Sequence, residues 1–140
     1  MDQMKDQKSI LLIEDDLVDA MTVKKVLKEL NVERPLTVCK NGEEGLEFLE
    51  NNLNNLPGII LLDLNMPKMN GLEFLKAIKS HPKFQVIPVV VLTTSDDHND
   101  KLESYKLSIA GYMLKSFDYK KFIEVMRSVK HYWEVSELSY

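Results

Sequence analysis

The feature of the sequence that most constrains the fold is a series of short apolar runs that do not alternate with polar residues. Three of these runs, Ile10–Ile13, Ile59–Leu62 and Val89–Leu92, consist of aliphatic residues only. Unbroken apolar strands are expected where helices cover both faces of a parallel sheet. With a further run at Thr37–Cys39 and a weaker one at Gly111–Leu114, the sequence predicts five strands, at Ser9–Ile13, Thr37–Cys39, Gly58–Leu62, Val89–Leu92 and Gly111–Leu114.

The segments between the predicted strands have the spacing of amphipathic helices. Apolar residues recur at intervals of three and four, as at Ala20, Val23 and Leu27. Residues that commonly cap helices precede four of these segments. The alternation predicts a βαβαβαβαβα chain, and therefore an α/β fold with a doubly wound five-stranded parallel sheet. The expected caps are Asp16, Asn41, Asn70 and Asp118.

Composition narrows the class of protein. The chain has 140 residues, and 22 acidic against 18 basic side chains give a net charge of −4. This balance disfavours a nucleic-acid-binding module, which needs a basic face. The single cysteine, Cys39, excludes an intramolecular disulfide framework and is expected to be a small buried hydrophobe. Because no signal peptide and no apolar run of about 18 residues is present, we predict a cytoplasmic protein without membrane contact.

A chain of this size is expected to form one domain with short ends. We expect residues 1–8 to be a flexible N-terminus, residues 9–132 the domain, and residues 133–140 a C-terminal tail without an effector domain. Within these ends, Met1–Gln7 and Ser136–Tyr140 are predicted to be loose, since termini are ordered only when something ties them down. The domain then uses almost the whole chain, which leaves a changed surface as its means of output.

Polar residues follow four of the predicted strands, at the point where each strand ends. In an open α/β sheet, ligands bind in the crevice beyond the carboxyl ends of the strands. The sequence therefore predicts that acids, hydroxyls and one lysine share one edge of the sheet. They are Glu14, Asp15 and Asp16 after the first strand, Asp63 and Asn65 after the third, Thr93 and Thr94 after the fourth, and Lys115 after the fifth.

Carboxylates gathered at this edge would repel one another. Two unit charges about 4 Å apart cost on the order of 4 kcal/mol at an effective dielectric of about 20. A hard divalent cation removes that cost, and Mg²⁺ suits a few carboxylates combined with water and a phosphate. Lysine and threonine side chains can pair with phosphoryl oxygens. Together these groups suit phosphoryl transfer to a carboxylate, although the acids of Glu14–Asp16 could instead only charge the start of a helix.

The segment around Asp63 carries a longer motif, since Leu61–Gly71 reads LLDLNMPKMNG. With this motif, the acids after the first strand, Thr93 after the fourth and Lys115 after the fifth, the chain resembles the receiver domain of two-component response regulators over Ser9–Lys130. The resemblance implies the flavodoxin-like (βα)5 receiver fold with strand order 2-1-3-4-5. It also implies that Asp63 is the phosphoacceptor and becomes a 4-aspartylphosphate.

The resemblance further implies a magnesium site beside Asp63. In the family's pattern Asp15 is a direct Mg²⁺ ligand together with Asp63. Asn65 contributes its backbone carbonyl, and Glu14 acts through a water molecule. The expected cofactor is therefore Mg²⁺.

Three further residues match those that contact the phosphoryl group or respond to it. The resemblance implies that Lys115 contacts the phosphoryl oxygens, that Thr93 is the switch hydroxyl and that Tyr112 is the switch aromatic. The family usually has proline after this lysine, often in cis, whereas this chain has Ser116. Since a cis bond to a non-proline residue costs about 3–4 kcal/mol, the Lys115–Ser116 bond is expected to be trans or strained. We still expect Lys115 to reach Asp63.

A finer resemblance concerns the partner. Gly42–Leu49, Val89–Ser95, Phe122–Ser128 and the pair Tyr132-Trp133 are similar to stand-alone regulators that partner phytochrome-type histidine kinases. The resemblance implies a phosphoryl donor that is a sensor histidine kinase or a phosphotransfer protein. It implies that the signal leaves through the surface around the fourth helix, fifth strand and fifth helix. It also implies that the protein promotes its own modification and is not a turnover enzyme. The segment Tyr132–Val135 could contribute to a homodimer or kinase contact, or simply pack against the last helix.

Three other functions remain open from the residues alone. A degenerate receiver acting only as a protein-binding module is one, which the Ser116 departure keeps open. A flavodoxin-like FMN carrier would need a hydroxyl- and glycine-rich phosphate loop where Glu14–Asp16 places acids. An aspartyl phosphatase would need a second acid two residues after Asp63, where this chain has Asn65.

Overall fold

Strands and helices alternate along the chain in the computed structural model, which describes residues 8–140. Each predicted strand is present within one residue of its expected ends, while the predicted flexible segment Met1–Gln7 lies outside the described residues. The strands are β1 (Ile10–Ile13), β2 (Leu36–Cys39), β3 (Ile59–Leu62), β4 (Val89–Thr93) and β5 (Gly111–Leu114). The helices are α1 (Leu17–Glu29), α2 (Gly42–Glu50), α3 (Gly71–Lys79), α4 (His98–Lys106) and α5 (Tyr119–Val135), with a short 3₁₀ helix at Phe84–Val86.

The five strands form one parallel sheet in the order β2-β1-β3-β4-β5. This order confirms the fold predicted from the sequence. β1 lies between β2 and β3, so the chain turns to opposite sides of β1 as it builds the sheet. Such a reversal opens a crevice at the carboxyl ends of the strands. Since Ile13 pairs with Leu62, the residues that follow them, Glu14 and Asp63, leave adjacent strands at the same height.

Side chains that alternate along the central strands pack into two apolar layers. On one face, Leu11, Ile13, Ile60 and Leu62 contact residues of α2 and α3, including Phe74. On the other face, the intervening strand residues pack against apolar residues of α1 and α5. Burying one such aliphatic side chain contributes about 1.5–3 kcal/mol. Because helices cover both faces, the central strands β1 and β3 are apolar at every position.

Side chains cap the helices where the sequence predicts. Each of the four expected caps accepts a backbone N–H at 2.9–3.0 Å. The cap of α3 is a reciprocal capping box, because Glu73 also accepts the backbone N–H of Asn70 at 3.1 Å. α4 has a comparable cap that the sequence reading missed. The capping residues are Asp16, Asn41, Asn70, Asp97 and Asp118.

The C-terminal residue contacts the segment before β3, while the looseness of Ser136–Tyr140 stays a prediction. α5 continues to Val135, past the expected start of the tail at residue 133, and its Trp133 is buried. The Tyr140 hydroxyl donates a hydrogen bond to the Pro57 carbonyl at 2.6 Å. The Lys8 ammonium lies 4.9 Å from the centroid of the Tyr140 ring. The last residue therefore lies against the amino-terminal ends of the strands, which we call the amino edge of the sheet.

Two further observations bear on the class of protein. Cys39 is buried, as expected, and burial raises the pKa of its thiol to about 11. Among residues 8–140, no helix has both the length and the apolar character needed to cross a membrane.

Candidate functional site

Three carboxylates meet at the carboxyl edge of the sheet. Glu14 and Asp15 follow β1 and Asp63 follows β3, and one oxygen from each lies within 4.8 Å of the other two. Glu14 and Asp63 are buried, whereas Asp15 is exposed. The structure thus brings together the acids that the sequence placed on different segments.

Burial and mutual repulsion perturb this cluster. Burial, followed by the nearby Asp63 carboxylate, raises the pKa of Glu14 to about 7, although a hydrogen bond from Lys115 opposes the rise. The backbone N–H of Asp16 also donates to Glu14 Oε2, at 3.2 Å. A carboxyl group with a pKa of about 7 is partly protonated at neutral pH. A cation bound beside it would favour the ionised form.

The donor set fits a hard divalent cation. It consists of carboxylate oxygens, and one of the three acids, Asp15, is exposed to solvent. Mg²⁺ favours such sites, in which a few carboxylates are combined with water. Asn65, whose carbonyl the resemblance implies as a further ligand, is exposed on the loop after Asp63. Its backbone N–H lies 3.4 Å from Asp63 Oδ1.

Lys115 extends from the end of β5 into the same cluster. Its ammonium donates hydrogen bonds to Glu14 and, at 2.9 Å, to Asp19, while its distance to Asp63 Oδ2 is 3.8 Å. Burial lowers the pKa of Lys115, but the hydrogen bonds with Glu14 and Asp19 outweigh it and raise the pKa above its ordinary value. The peptide bond to Ser116 is trans, like the other described peptide bonds. Lys115 therefore reaches Asp63 without a cis bond, at ion-pair distance.

Asp19 is the site residue that sequence reasoning missed. The sequence shows it only as the acid three residues after the Asp16 cap, and Asp16 does accept its backbone N–H at 3.0 Å. That bond orders the first turn of α1 and leaves the Asp19 side chain available for Lys115. The signal in the sequence, an acid in the first turn of the helix after β1, is shared with many helices that have no such contact.

The two predicted switch residues meet at Ser95. Thr93 ends β4, is completely buried, and accepts the Ser95 backbone N–H at Oγ1 over 3.3 Å. The Tyr112 hydroxyl donates to the Ser95 carbonyl at 2.9 Å, and the half-buried position raises the pKa of Tyr112. The Ser95 hydroxyl donates to Asp100 of α4 at 2.6 Å. Thr93 and Tyr112 are therefore joined to α4 through one residue.

Close packing holds the loop that carries Asp63. Gly71 donates its N–H to the Leu64 carbonyl at 3.1 Å, and a Cβ atom on Gly71 would lie 2.5 Å from the Asp63 carbonyl oxygen. Only glycine leaves room for this approach. Lys68 has φ of 59°, and the Met69 carbonyl accepts the N–H of Gly42 at 3.0 Å. The loop is thus clamped between the starts of α2 and α3.

This fold and edge geometry define a known class, and the family model of the response regulator receiver domain matches residues 10–127. The chain belongs to this family.

Individual relatives are similar over nearly their whole length. Response regulator Rcp1 of Synechocystis sp. is 37% identical over 136 residues, which are 94% of this chain and 92% of Rcp1. The phosphorylated cyanobacterial phytochrome response regulator RcpA has a TM-score of 0.87 at 32% identity, with 96% of this chain and 99% of RcpA covered. The Mn²⁺-bound form of Rcp1 has a TM-score of 0.86 at 37% identity, with 95% and 99% covered. These likenesses confirm the resemblance to phytochrome-associated response regulators.

Proposed function

We propose that this protein is a stand-alone response regulator in which Asp63 accepts a phosphoryl group from a phosphohistidine. The observation that carries the proposal is the position of the buried Asp63 carboxylate, between two further acids and the Lys115 ammonium at the carboxyl edge of the sheet. This arrangement supplies a nucleophile, a cation site and a positive charge within one cluster. Phosphoryl transfer needs little else, since positioning and charge neutralisation provide most of the catalysis.

The transfer is a displacement at phosphorus. An Asp63 carboxylate oxygen forms the new O–P bond, the N–P bond to the imidazole breaks, and the histidine leaves with the electron pair and takes up a proton. The product is an acyl phosphate on Asp63. Lys115 is placed to contact its oxygens from the 3.8 Å position. Because each molecule is consumed by its own modification until the acyl phosphate hydrolyses, the protein is not a turnover enzyme.

Glu14, Asp15 and Asp63, with the Asn65 carbonyl, would hold the divalent cation, which we propose is Mg²⁺. When bound, it offsets the negative charge that gathers on the carboxylates and on the transferred group. The Mn²⁺-bound structure of Rcp1 supports a divalent site in this chain, because the two proteins are 37% identical over nearly their full length. The oxygen-only donor set favours Mg²⁺ over softer metals.

The phosphoryl group shifts the conformation through Thr93 and Tyr112. We propose that the Thr93 hydroxyl turns toward the acyl phosphate and that Tyr112 follows, because both are bonded to Ser95. The affected surface is formed by α4, β5 and α5, where Leu102, Tyr105 and Leu114 are exposed. The change is a population shift, limited by the differential affinity of the two states for phosphate.

The phosphoryl donor is, in our proposal, a sensor histidine kinase of the phytochrome type or a phosphotransfer protein. The likeness to RcpA and Rcp1 supports the phytochrome type. A homodimer through Tyr132–Val135 remains a prediction. In that segment Trp133 packs inside the protein, and Val135 is the strongly exposed apolar residue.

The test is incubation with acetyl phosphate and Mg²⁺, followed by intact-protein mass spectrometry. We expect a gain of one phosphoryl group that is abolished in Asp63→Asn and prevented by EDTA. Asp96→Asn is the matched control, because Asp96 is an exposed acid paired with Lys101 outside the cluster. A gain that persists in Asp63→Asn would refute the assignment, and no gain in the wild type would favour the degenerate, binding-only receiver.

A further inference from the structure

The resting contacts of Lys115 are not directed mainly at Asp63. The ammonium is hydrogen-bonded to Glu14 and Asp19, the latter at 2.9 Å, while Asp63 Oδ2 is 3.8 Å away. The Lys115 side chain is only 10% exposed, so few water molecules compete for it. Among these three acids, Asp19 is the one outside the carboxylate cluster, since it lies on α1.

The surroundings of Lys115 let it lean toward α1. A cavity of about 40 Å³ lies between α1 and the segment after β5, lined by Asp19, Thr22, Val23, Lys115, Ser116 and Phe122. Lys115 and Asp19 thus line the same cavity as residues of α1 and α5. The Asp19 side chain is 41% exposed, whereas that of Lys115 is 10% exposed. The position of the ammonium is therefore set by a carboxylate on a neighbouring helix as well as by the site.

We propose that Asp19 is a positioning residue that holds Lys115 in its resting place, and that phosphorylation of Asp63 draws the ammonium away from it. This inference rests on the proposed function of Asp63. A phosphoryl group carries about −1.5 to −2 charges and three acceptor oxygens, more than one half-exposed carboxylate offers. The exchange breaks the Lys115–Asp19 contact and leaves the Asp19 carboxylate to solvent.

The exchange makes a kinetic prediction that separates it from a general structural role. The Asp19 contact stabilises only the unphosphorylated protein. Its loss therefore raises the free energy of that state relative to the transition state for phosphorylation and to the acyl phosphate. Asp19→Asn should therefore speed phosphorylation by acetyl phosphate about two- to fivefold, the range expected for a partly exposed ion pair. The rate of acyl phosphate hydrolysis should stay unchanged, because Lys115 has already left Asp19 in that state.

A second measurement does not depend on the reaction. Beryllofluoride with Mg²⁺ mimics the phosphoryl group, and its binding can be followed by ¹⁹F NMR. Asp19→Asn should bind it about two- to fivefold more tightly than the wild type does. Asp19→Glu, which keeps the charge, should return both quantities toward the wild-type values. In a Lys115→Met background, Asp19→Asn should no longer tighten beryllofluoride binding.

The matched control is Asp16→Asn, at the residue that lies three positions before Asp19. It removes one negative charge from the same helix start and keeps a side chain able to cap the helix. An equal gain in Asp16→Asn would overturn the proposal, since general charge removal would then explain the effect. Unchanged phosphorylation and beryllofluoride binding in a folded Asp19→Asn protein would also overturn it. If the wild type itself is not phosphorylated and does not bind beryllofluoride, the proposed function fails instead.

Discussion

The carboxyl edge and the amino edge of the sheet are built in opposite ways. At the carboxyl edge, acids of three positions crowd within 4.8 Å, and Glu14 has a pKa raised to about 7. At the amino edge, Trp133 and Tyr140 cover Pro57 and Gly58 with aromatic surface. Strands of four residues, about 13 Å long, separate the two. The two ends therefore differ in kind: the amino edge is covered by packed aromatic side chains, whereas the carboxyl edge gathers carboxylates whose burial is unfavourable.

The largest expected effect on the free energy of unfolding comes from a substitution at the amino edge. Trp133 is buried, and a Cβ atom on Gly58 would lie 3.1 Å from its indole nitrogen, so the ring fills the space that glycine leaves. Trp133→Ala should lower the free energy of unfolding by about 3–5 kcal/mol, measured by urea denaturation followed by circular dichroism. Trp133→Phe, which keeps a ring, should lose less.

This substitution also tests how independent the two edges are. At a temperature where Trp133→Ala is still folded, its phosphorylation by acetyl phosphate should match that of the wild type. Loss of phosphorylation in the folded variant would show that packing at the amino edge shapes the site, so that the two edges are not independent.

The next effect is at the carboxyl edge and depends on pH. The folded-state pKa of Glu14, about 7, lies above the ordinary value of 4.5. Its contribution to stability is therefore fully present below pH 4.5 and is lost as the pH rises through 7. Without divalent cations, the free energy of unfolding of the wild type minus that of Glu14→Gln should fall over this range, by at most about 3 kcal/mol.

Urea denaturation in EDTA at a series of pH values measures this difference. With Mg²⁺ in place of EDTA the fall should disappear, because a bound cation favours the ionised carboxylate. A difference that is flat with pH in EDTA would contradict the raised pKa of Glu14 and, with it, the contrast between the two edges.

The smallest effect returns to the amino edge. Tyr140→Phe removes the hydrogen bond from the tyrosine hydroxyl to the Pro57 carbonyl and keeps the ring. We expect a loss of about 1 kcal/mol in the free energy of unfolding. Tyr105→Phe is the control, because Tyr105 is 55% exposed, and it should leave stability unchanged. Equal stability of wild type and Tyr140→Phe would mean that the C-terminal residue does not tie down this edge.

The fold could be predicted from the sequence because its signals are local. Apolar runs such as Ile59–Leu62 and caps such as Asn70 specify strands and helix starts within a few residues. The positions of Asp63 and the β1 acids followed from the same reading, since parallel strands bring their carboxyl ends to one edge. The predicted roles of these residues were supplied by the family resemblance, and the proposed experiments test them.

Two contacts between distant side chains, which the alternation of strands and helices does not specify, could not be predicted in this way. Asp19 and Lys115 are 96 residues apart, and Tyr140 and Pro57 are 83 apart. Whether a surface acid on α1 meets the lysine depends on the rotation of the helix against β5, which apolar spacing defines only coarsely. The contact of Tyr140 with Pro57 depends on one hydroxyl and one ring at the end of an irregular segment. Such a segment has no periodic pattern from which the contact could be predicted.

Ser95 connects the site to α4 through hydrogen bonds. Its N–H is bonded to Thr93, its carbonyl to Tyr112 and its hydroxyl to Asp100. Its three polar groups are thus all engaged in the resting protein. If the Thr93 hydroxyl turns toward the acyl phosphate, as we propose, Ser95 loses its hydrogen bond with Thr93 and keeps those with Tyr112 of β5 and Asp100 of α4. In that proposal the change reaches the first turn of α4 through Ser95, the residue hydrogen-bonded to Thr93, Tyr112 and Asp100.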